Sequence, residues 1–416
     1  MERQLKLELD NNFMEIKKNI NELAIFGGSK AFDKKLHVGR PNIGKREYLL
    51  ERINNILDNC WLTNNGPYVQ EFEKKIAEFT GVKHCILVCN ATIGLEIVIR
   101  ALNLTGEVIV PSMTFIATAH SLEWQKINPI FCDINPETWN IDPEKIEKLI
   151  TPKTTAIIGV HLFGRPCDVE ALEIIALKNN LKLIFDAAHA FGCSYKRKMI
   201  GNFGDAEIFS FHATKFFNSL EGGAIVTNND ELAKKTRLMR NFGFHEYEVL
   251  SIGTNGKMNE FSAAMGITSF ESISEFIYKN KHNYEQYQKG LIGVLGVKLM
   301  KYDKNEKCNF QYLVLDIDAE ITKISRDNLM KILWAENVIA RDYFYPGCHK
   351  AQPYVSGPRY KKWELLVTEK TSYRLLSLPT GTSMDDEKIK RLCELIRFCV
   401  NNGTEISLKL KKCYEL

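Results

Sequence analysis

Between residues 68 and about 245, short continuous apolar runs rich in β-branched residues alternate with amphipathic stretches. HCILVCN (84–90), EVIVPS (107–112), PIFCDI (129–134), TAIIGVHLFG (155–164), LKLIFDAA (181–188), AEIFSFH (206–212) and GGAIVTN (222–228) predict strands. QEFEKKIAEFTG and DVEALEIIALKNN, lying between them, read as helices. Strands that are apolar throughout, rather than alternating, are covered on both faces. The pattern therefore predicts a largely parallel sheet between helix layers, a doubly wound α/β unit. Upstream, residues 1–24 read as a polar amphipathic helix on the surface, followed by a loop-rich stretch, a helix over roughly 46–58 and the turn LTNNGPYV. Downstream, 256–291 reads as a long helical region that leads into a smaller α+β unit from 292, with FQYLVLDI as a strand and DDEKIKRLCELIRFCVNN as the final helix. The expected division is an N-terminal extension and loop over 1–45, a large α/β domain over 46–291 and a small C-terminal α+β domain over 292–416.

Length agrees with this division, since 416 residues exceed what one simple core holds. The net charge is +4, from 55 basic and 51 acidic residues without a charged block, which argues against a nucleic-acid or membrane-surface partner. Eleven cysteines form no CxxC pair and no Cys/His group with zinc spacing, so no metal is expected and buried free thiols are. The charged N-terminus lacks the apolar core of a secretory signal, and no run of about 18 apolar residues exists to cross a membrane. A cytoplasmic protein is expected.

Polar residues gather just after the predicted strand ends: Asn90 and Thr92, Ser112 and Thr114, His161, Asp186, and His212 to Lys215. Ligands of open α/β sheets bind beyond the carboxyl ends of the strands, so these groups share one rim. Asp186 ends an apolar strand, where a carboxylate needs a cationic or hydrogen-bonding partner, unless it merely caps the next helix. Lys215 lies in SFHATKFFNSLEGGAIVT, among Ser210, His212 and Thr214 and ahead of the pair Gly222-Gly223. A lysine taken at random is a surface residue; this one has the setting of a reactive amine. CNATIGLE presents backbone N–H groups where a helix begins, which suits a phosphate, although Asn90 or Thr92 as a plain N-cap explains the same letters. Neither GxGxxG nor GxxxxGK[ST] occurs. Phe115 stands past a strand end, either to stack on a planar ligand or to fill the core.

As an ordered set, LTNNGPYVQEFE, CNATIGLE, VPSMTFIATA, GVHLFGRPCD, DAAHAFG, SFHATK with EGGAIVT, RNFG, GTNGKMNEFSAAMG and YFYPGCH resemble the DegT/DnrJ/EryC1/StrS sugar aminotransferases, from about Gly39 to Pro379. The resemblance implies the aspartate aminotransferase (fold type I) architecture and pyridoxal 5′-phosphate (PLP) as cofactor. It places Lys215 as the Schiff-base lysine and proton shuttle, and Asp186 on the pyridine nitrogen. His189 falls beside the 3-hydroxyl, Ala91 and Thr92 with Ser210 at the phosphate, and Phe115 on the ring. Asn241 or Asn255 would reach the cofactor of a second subunit, which implies a homodimer with shared sites. Asn65, Tyr345 and His349 are candidates near the substrate, Tyr345 and His349 equally readable as packing of the small domain.

Two departures matter. Ala213 stands where the family often has Pro, and Lys257 where it often has Arg, which keeps a charge but loses the bidentate fork. Relatives with His for the lysine are dehydratases, and Lys215 rejects that branch. The implied reaction moves the amino group of L-glutamate to the C4 ketone of a nucleotide-linked 4-keto-6-deoxyhexose. LHVGRPNIG, LTNNGPYVQEF, DAAHAFGC and YFYPGCH look closest to the subgroup making dTDP-4-amino-4,6-dideoxyglucose. The alternatives are a 3-keto, GDP- or UDP-linked sugar, a free keto sugar or cyclitol, a non-catalytic PLP-binding relative, or an α/β binding protein without cofactor.

Overall fold

The computed structural model describes residues 17–357 and 363–414. Its centre is a seven-stranded sheet of His84–Val88 (β1), Glu107–Pro111 (β2), Asn128–Cys132 (β3), Thr154–Val160 (β4), Lys182–Asp186 (β5), Ala206–Ser210 (β6) and Gly223–Thr227 (β7). Their order is β1-β7-β6-β5-β4-β2-β3, and all are parallel except β7, which runs against β1 and β6. All seven apolar runs become strands because helices cover both faces: one apolar layer holds Ile86, Val88, Ile158, Ile184 and Ile208, and two others hold Leu87, Phe209 and Val226, and Ile157 and Phe185. The antiparallel β7 matters most for the site. Its chain leaves β6 at Ser210 and comes back at Gly223, directly opposite, so the connection carrying Lys215 stays on the carboxyl rim.

Helices Arg46–Asp58 (α1), Pro67–Thr80 (α2), Ala91–Ala101 (α3), Ala117–Glu123 (α4), Val169–Lys178 (α5) and Asp230–Arg240 (α6) lie on or beside this sheet. Helix α2 starts at a proline, which needs no N–H there, and ends at Gly81 with φ 72°. The carboxylate of Glu260 receives the N–H groups of Tyr68 (2.8 Å) and Val69 (3.2 Å) at its first turn. The long helical stretch breaks at Ser272 into Glu260–Glu271 (α7) and Ile273–Gly290 (α8). Beyond it a three-stranded antiparallel sheet of Val297–Leu299 (β8), Leu313–Ile317 (β9) and Leu375–Leu378 (β10) packs with Arg326–Ala335 (α9), Asp386–Asn401 (α10) and Gly403–Tyr414 (α11).

The N-terminal stretch departs from expectation. Residues 1–16 of the expected helix lie outside the described residues. Residues 17–24 form 3-10 turns at Ile20–Glu22 and from Ala24, closed by short bonds such as Glu22 N–H to Asn19 C=O at 3.1 Å. They are not a surface appendage, because Leu23, Phe32 and Leu36 are buried in the core of the C-terminal elements. The fully buried carboxylate of Glu336 holds them, accepting the N–H groups of Ala24 (2.8 Å) and Ala31 (2.6 Å) and pairing with Lys17 at 3.2 Å. All eleven cysteines are free, and eight are buried. No helix among the described residues is long and apolar enough to cross a membrane, and no three metal-binding side chains converge there.

Candidate active site

Parallel strands put their carboxyl ends on one rim, and there a cavity of about 620 Å³ opens. Ala91, Thr92, Phe115, Asp186, His189, Ser210 and Lys215 all line it. Each reaches it through local structure the sequence dictates. Asn90 caps α3, its Oδ1 accepting from Ile93 N–H at 2.9 Å. That leaves the N–H groups of Ala91 and Thr92 without an intrahelical acceptor and turned to the rim. Both readings of CNATIGLE thus hold at once. Gly223 lets β7 pass this turn, since a Cβ there would sit 2.7 Å from Ala91 N and 2.8 Å from Phe209 O.

The loop bearing Lys215 is clamped from behind. Asn42 Nδ2 donates to Phe216 C=O at 2.9 Å, Asn218 Nδ2 to Asn42 C=O at 2.8 Å, and Ser269 Oγ to Asn218 C=O at 2.7 Å. Gly39, at φ 73°, passes so close that a Cβ would stand 3.0 Å from Thr214 Cβ. Lys215 Nζ is directed inward, 3.4 Å from the Tyr312 hydroxyl. Burial lowers its pKa from 10.5 to about 8, with the nearby Asp186 carboxylate partly restoring it. Asp186 is buried at the end of β5, its Oδ2 accepting from Thr118 Oγ1 (2.7 Å) and its Oδ1 from Ala188 N–H (3.1 Å). Burial raises its pKa, while those two donors and the charge of Lys215 oppose the rise.

His189 is buried, and its Nδ1 accepts from Phe163 N–H at 3.2 Å, which leaves its proton on Nε2. Burial, then the charge of Lys215, pushes its pKa well below 6.5, so the ring is neutral. It lies parallel to Phe344 at 5.8 Å between centroids, and Phe344 meets Phe115 edge-on at 6.4 Å. Tyr312, Tyr343 and Phe344 complete the wall and were not anticipated. The motif YFYPGCH contains two of them, but only its Tyr345 and His349 attract notice as polar candidates.

The remaining candidates lie off this cavity. Tyr345 meets Tyr373 edge-on (4.8 Å between ring centroids), and the Arg326 guanidinium lies over its ring at 5.1 Å. His349 is buried, its Nδ1 2.6 Å from Ser112 Oγ and its Nε2 3.2 Å from Glu369 Oε1, so it joins elements together and does not line this cavity. Asn65, Asn241 and Asn255 form a second polar group beside β1. Asn241 pairs with Asn255 across an isolated bridge, Lys257 Nζ donates to Asn241 Oδ1 (3.0 Å), and Arg240 Nη2 reaches Asn65 Oδ1 at 3.4 Å. Lys257, also 4.4 Å from the centre of the Phe242 ring, is held within this group.

The arrangement suits a phosphorylated pyridine. A depressed amine, a dry carboxylate with free lone pairs, a neutral imidazole and two unpaired amides face one space large enough for it. Fold and site together define a fold type I α/β protein whose lysine and aspartate converge at the sheet's carboxyl rim. The DegT/DnrJ/EryC1/StrS aminotransferase family matches residues 44–397. The dTDP-4-amino-4,6-dideoxy-D-glucose transaminases of Shigella dysenteriae and Escherichia coli are 37% and 35% identical, each covering 88% of this chain and 99% and 98% of their own. The GDP-perosamine synthase of Escherichia coli O157:H7 is 33% identical over 87% of this chain and 98% of its own. Among solved structures, DesI in the presence of its TDP-sugar product superposes with a TM-score of 0.91 at 45% identity, covering 94% of this chain and all of that one. The chain belongs to the DegT/DnrJ/EryC1/StrS aminotransferase family.

Proposed function

We propose that this chain, with pyridoxal 5′-phosphate, moves the amino group of L-glutamate to the C4 ketone of dTDP-4-keto-6-deoxy-D-glucose, giving dTDP-4-amino-4,6-dideoxy-D-glucose. The observation that carries the reading is the convergence of Lys215 and Asp186 on one cavity, in a chain akin to the two dTDP-sugar transaminases. When bound, the cofactor supplies an electron sink for the carbanion formed at the amino-bearing carbon. Lys215 Nζ, poised near neutrality by burial, takes the proton from that carbon and returns it during the exchange. Asp186 holds its charge toward the pyridine nitrogen, and the Nε2–H of His189 serves the ring hydroxyl. The amides of Ala91 and Thr92, with the Ser210 hydroxyl, hold the phosphate, and Phe115 covers the ring. Tyr312, Tyr343 and Phe344 keep water from the amine. Asn241 and Asn255, off their own cavity, are assigned to the site of a second copy, so the working unit is a homodimer. Asn65 is assigned to the same shared region.

The test is incubation of the PLP-loaded protein and L-glutamate with dTDP-, GDP- and UDP-linked 4-keto sugars and with 3-keto isomers, reading amination and its position by NMR. Fastest amination at C4 of the dTDP-linked gluco substrate is expected. Preference for a GDP-linked 4-keto sugar, which the GDP-perosamine synthase likeness favours as the second reading, would replace the nucleotide assignment. Absence of amination with every acceptor would remove the function.

A further inference from the structure

Behind Asp186 stands a hydroxyl pair that the reading above leaves without a role. Thr118, fully buried on the first turn of α4, donates from Oγ1 to Asp186 Oδ2 at 2.7 Å. A hydroxyl has one proton, so Thr118, having given its own to the carboxylate, must accept the proton of Thr114 Oγ1, 2.8 Å away. The chain therefore has one direction, Thr114 to Thr118 to Asp186. The other oxygen of Asp186 takes only the Ala188 N–H, at 3.1 Å. Of the two threonines, Thr114 borders the cavity while Thr118 sits behind it, out of reach of a ligand.

We propose that Thr118 is a positioning residue that keeps Asp186 ionised toward the cofactor's ring nitrogen, with Thr114 fixing the direction in which Thr118 donates. This rests on the assignment of Asp186 to that nitrogen. Burial pushes Asp186 toward its neutral form, and a neutral acid would draw the shared proton away from the ring. A charge-assisted donor at 2.7 Å is the strongest group on the carboxylate that works against this. Thr118→Val keeps the shape and removes the donor, Thr118→Ser keeps the donor, and Thr114→Val removes only the second link.

The experiment measures binding, not turnover. Dissociation constants of pyridoxal 5′-phosphate and of its 1-deaza analogue, in which carbon replaces the ring nitrogen, are measured by equilibrium dialysis for wild type and the three variants. Wild type should prefer the natural cofactor. Thr118→Val should cut that preference about tenfold, the size of one hydrogen bond to a charged group, through the natural cofactor alone. Thr118→Ser should retain the preference and Thr114→Val should lose part of it. If Thr118→Val weakens both ligands alike, or leaves the preference at its wild-type value, Thr118 merely packs α4 and the proposal is overturned. If wild type itself does not discriminate, Asp186 does not meet the ring nitrogen, and the assignment beneath the proposal falls with it.

Discussion

A lysine at the rim of a sheet is costly to fold around. The amine of Lys215 drops from 10.5 to about 8, chiefly through burial. Below about pH 8 both folded and unfolded chains hold the proton, so the folded state bears the whole cost of a buried ammonium. Between about 8 and 10.5 the folded chain has released the proton while the unfolded chain still binds it, so the stability of the cofactor-free protein climbs with pH across that window. Lys215→Met should therefore raise the stability of the cofactor-free protein near pH 7, by on the order of 1 kcal/mol once solvent screening is allowed for. The gain should shrink toward zero near pH 10. Urea unfolding at both values checks this, and a gain that does not vary with pH would refute the account. Turnover in the same variant should be lost, because the amine assigned to carry the cofactor and move the proton is gone. That separation, more stable yet inactive, marks a residue placed for chemistry.

At the level of elements, the joint between the central sheet and the C-terminal part runs through His349. Ser112, just past β2, accepts the His349 N–H at 3.1 Å, and its Oγ lies 2.6 Å from His349 Nδ1. Because Nε2 faces the Glu369 carboxylate, which only accepts, the neutral ring keeps its proton on Nε2 and Ser112 donates to Nδ1. The Nε2–H then faces Glu369 at 3.2 Å, in the short helix Leu366–Ser372. Past β3, Asp133 accepts from Val367 N–H (3.1 Å) and Thr368 N–H (2.8 Å) of the same helix. These links hold the segment that sets Tyr343 and Phe344 against the cavity. Burial lowers the pKa of His349, with Glu369 opposing. As pH falls through 6.5 the unfolded chain gains a proton that the folded chain refuses, so stability is lost on acidification. Wild type should lose on the order of 1 kcal/mol more than His349→Gln between about pH 7.5 and 5.5. Equal losses in denaturant titrations would dismiss the joint. His349→Ala should also raise KM more than it lowers kcat.

Legibility in the sequence follows the same physics. The seven strands of the sheet were readable because burial on both faces demands unbroken apolar runs, and the rim residues were readable because polar groups follow those runs. Tyr312 and Phe344 were not, since they reach the rim from remote parts of the chain and no local period reports such a contact. His349 reads in its motif equally as a substrate contact and as packing of the small domain, and the fold decides for packing because both ring nitrogens are engaged by Ser112 and Glu369. Leu23, Phe32 and Leu36 are buried at irregular spacing among charged residues and glycines, which is why the N-terminal stretch read as surface.

For the molecule as a whole, one region is at odds with a single chain in water. The hairpin of Phe244–His245 and Glu248–Val249 projects Tyr247 at 97% exposure and Ile252 at 92%, with Val249 and Leu250 also exposed. Apolar side chains clustered this way belong against a covering surface. The same strap is flanked by Asn241 and Asn255, the two residues assigned to a neighbour's site. A two-fold dimer would satisfy both observations, burying the strap while carrying its asparagines across. The consequence is testable by complementation. Lys215→Ala should be inactive, and Asn255→Ala should be strongly impaired because it fails its partner rather than itself. In a dimer of one chain of each kind, one site combines an intact Lys215 with an intact Asn255 from the other chain, while the second site lacks both. Equal amounts, unfolded and refolded together, should then recover activity corresponding to about a quarter of all sites, since half the dimers are mixed and each has one intact site. Recovery should track the fraction of mixed dimers resolved by a tag on one variant. Activity no greater than the sum of the separate variants would mean that each chain completes its own site, and the assignment of Asn255 to a neighbour would have to be given up.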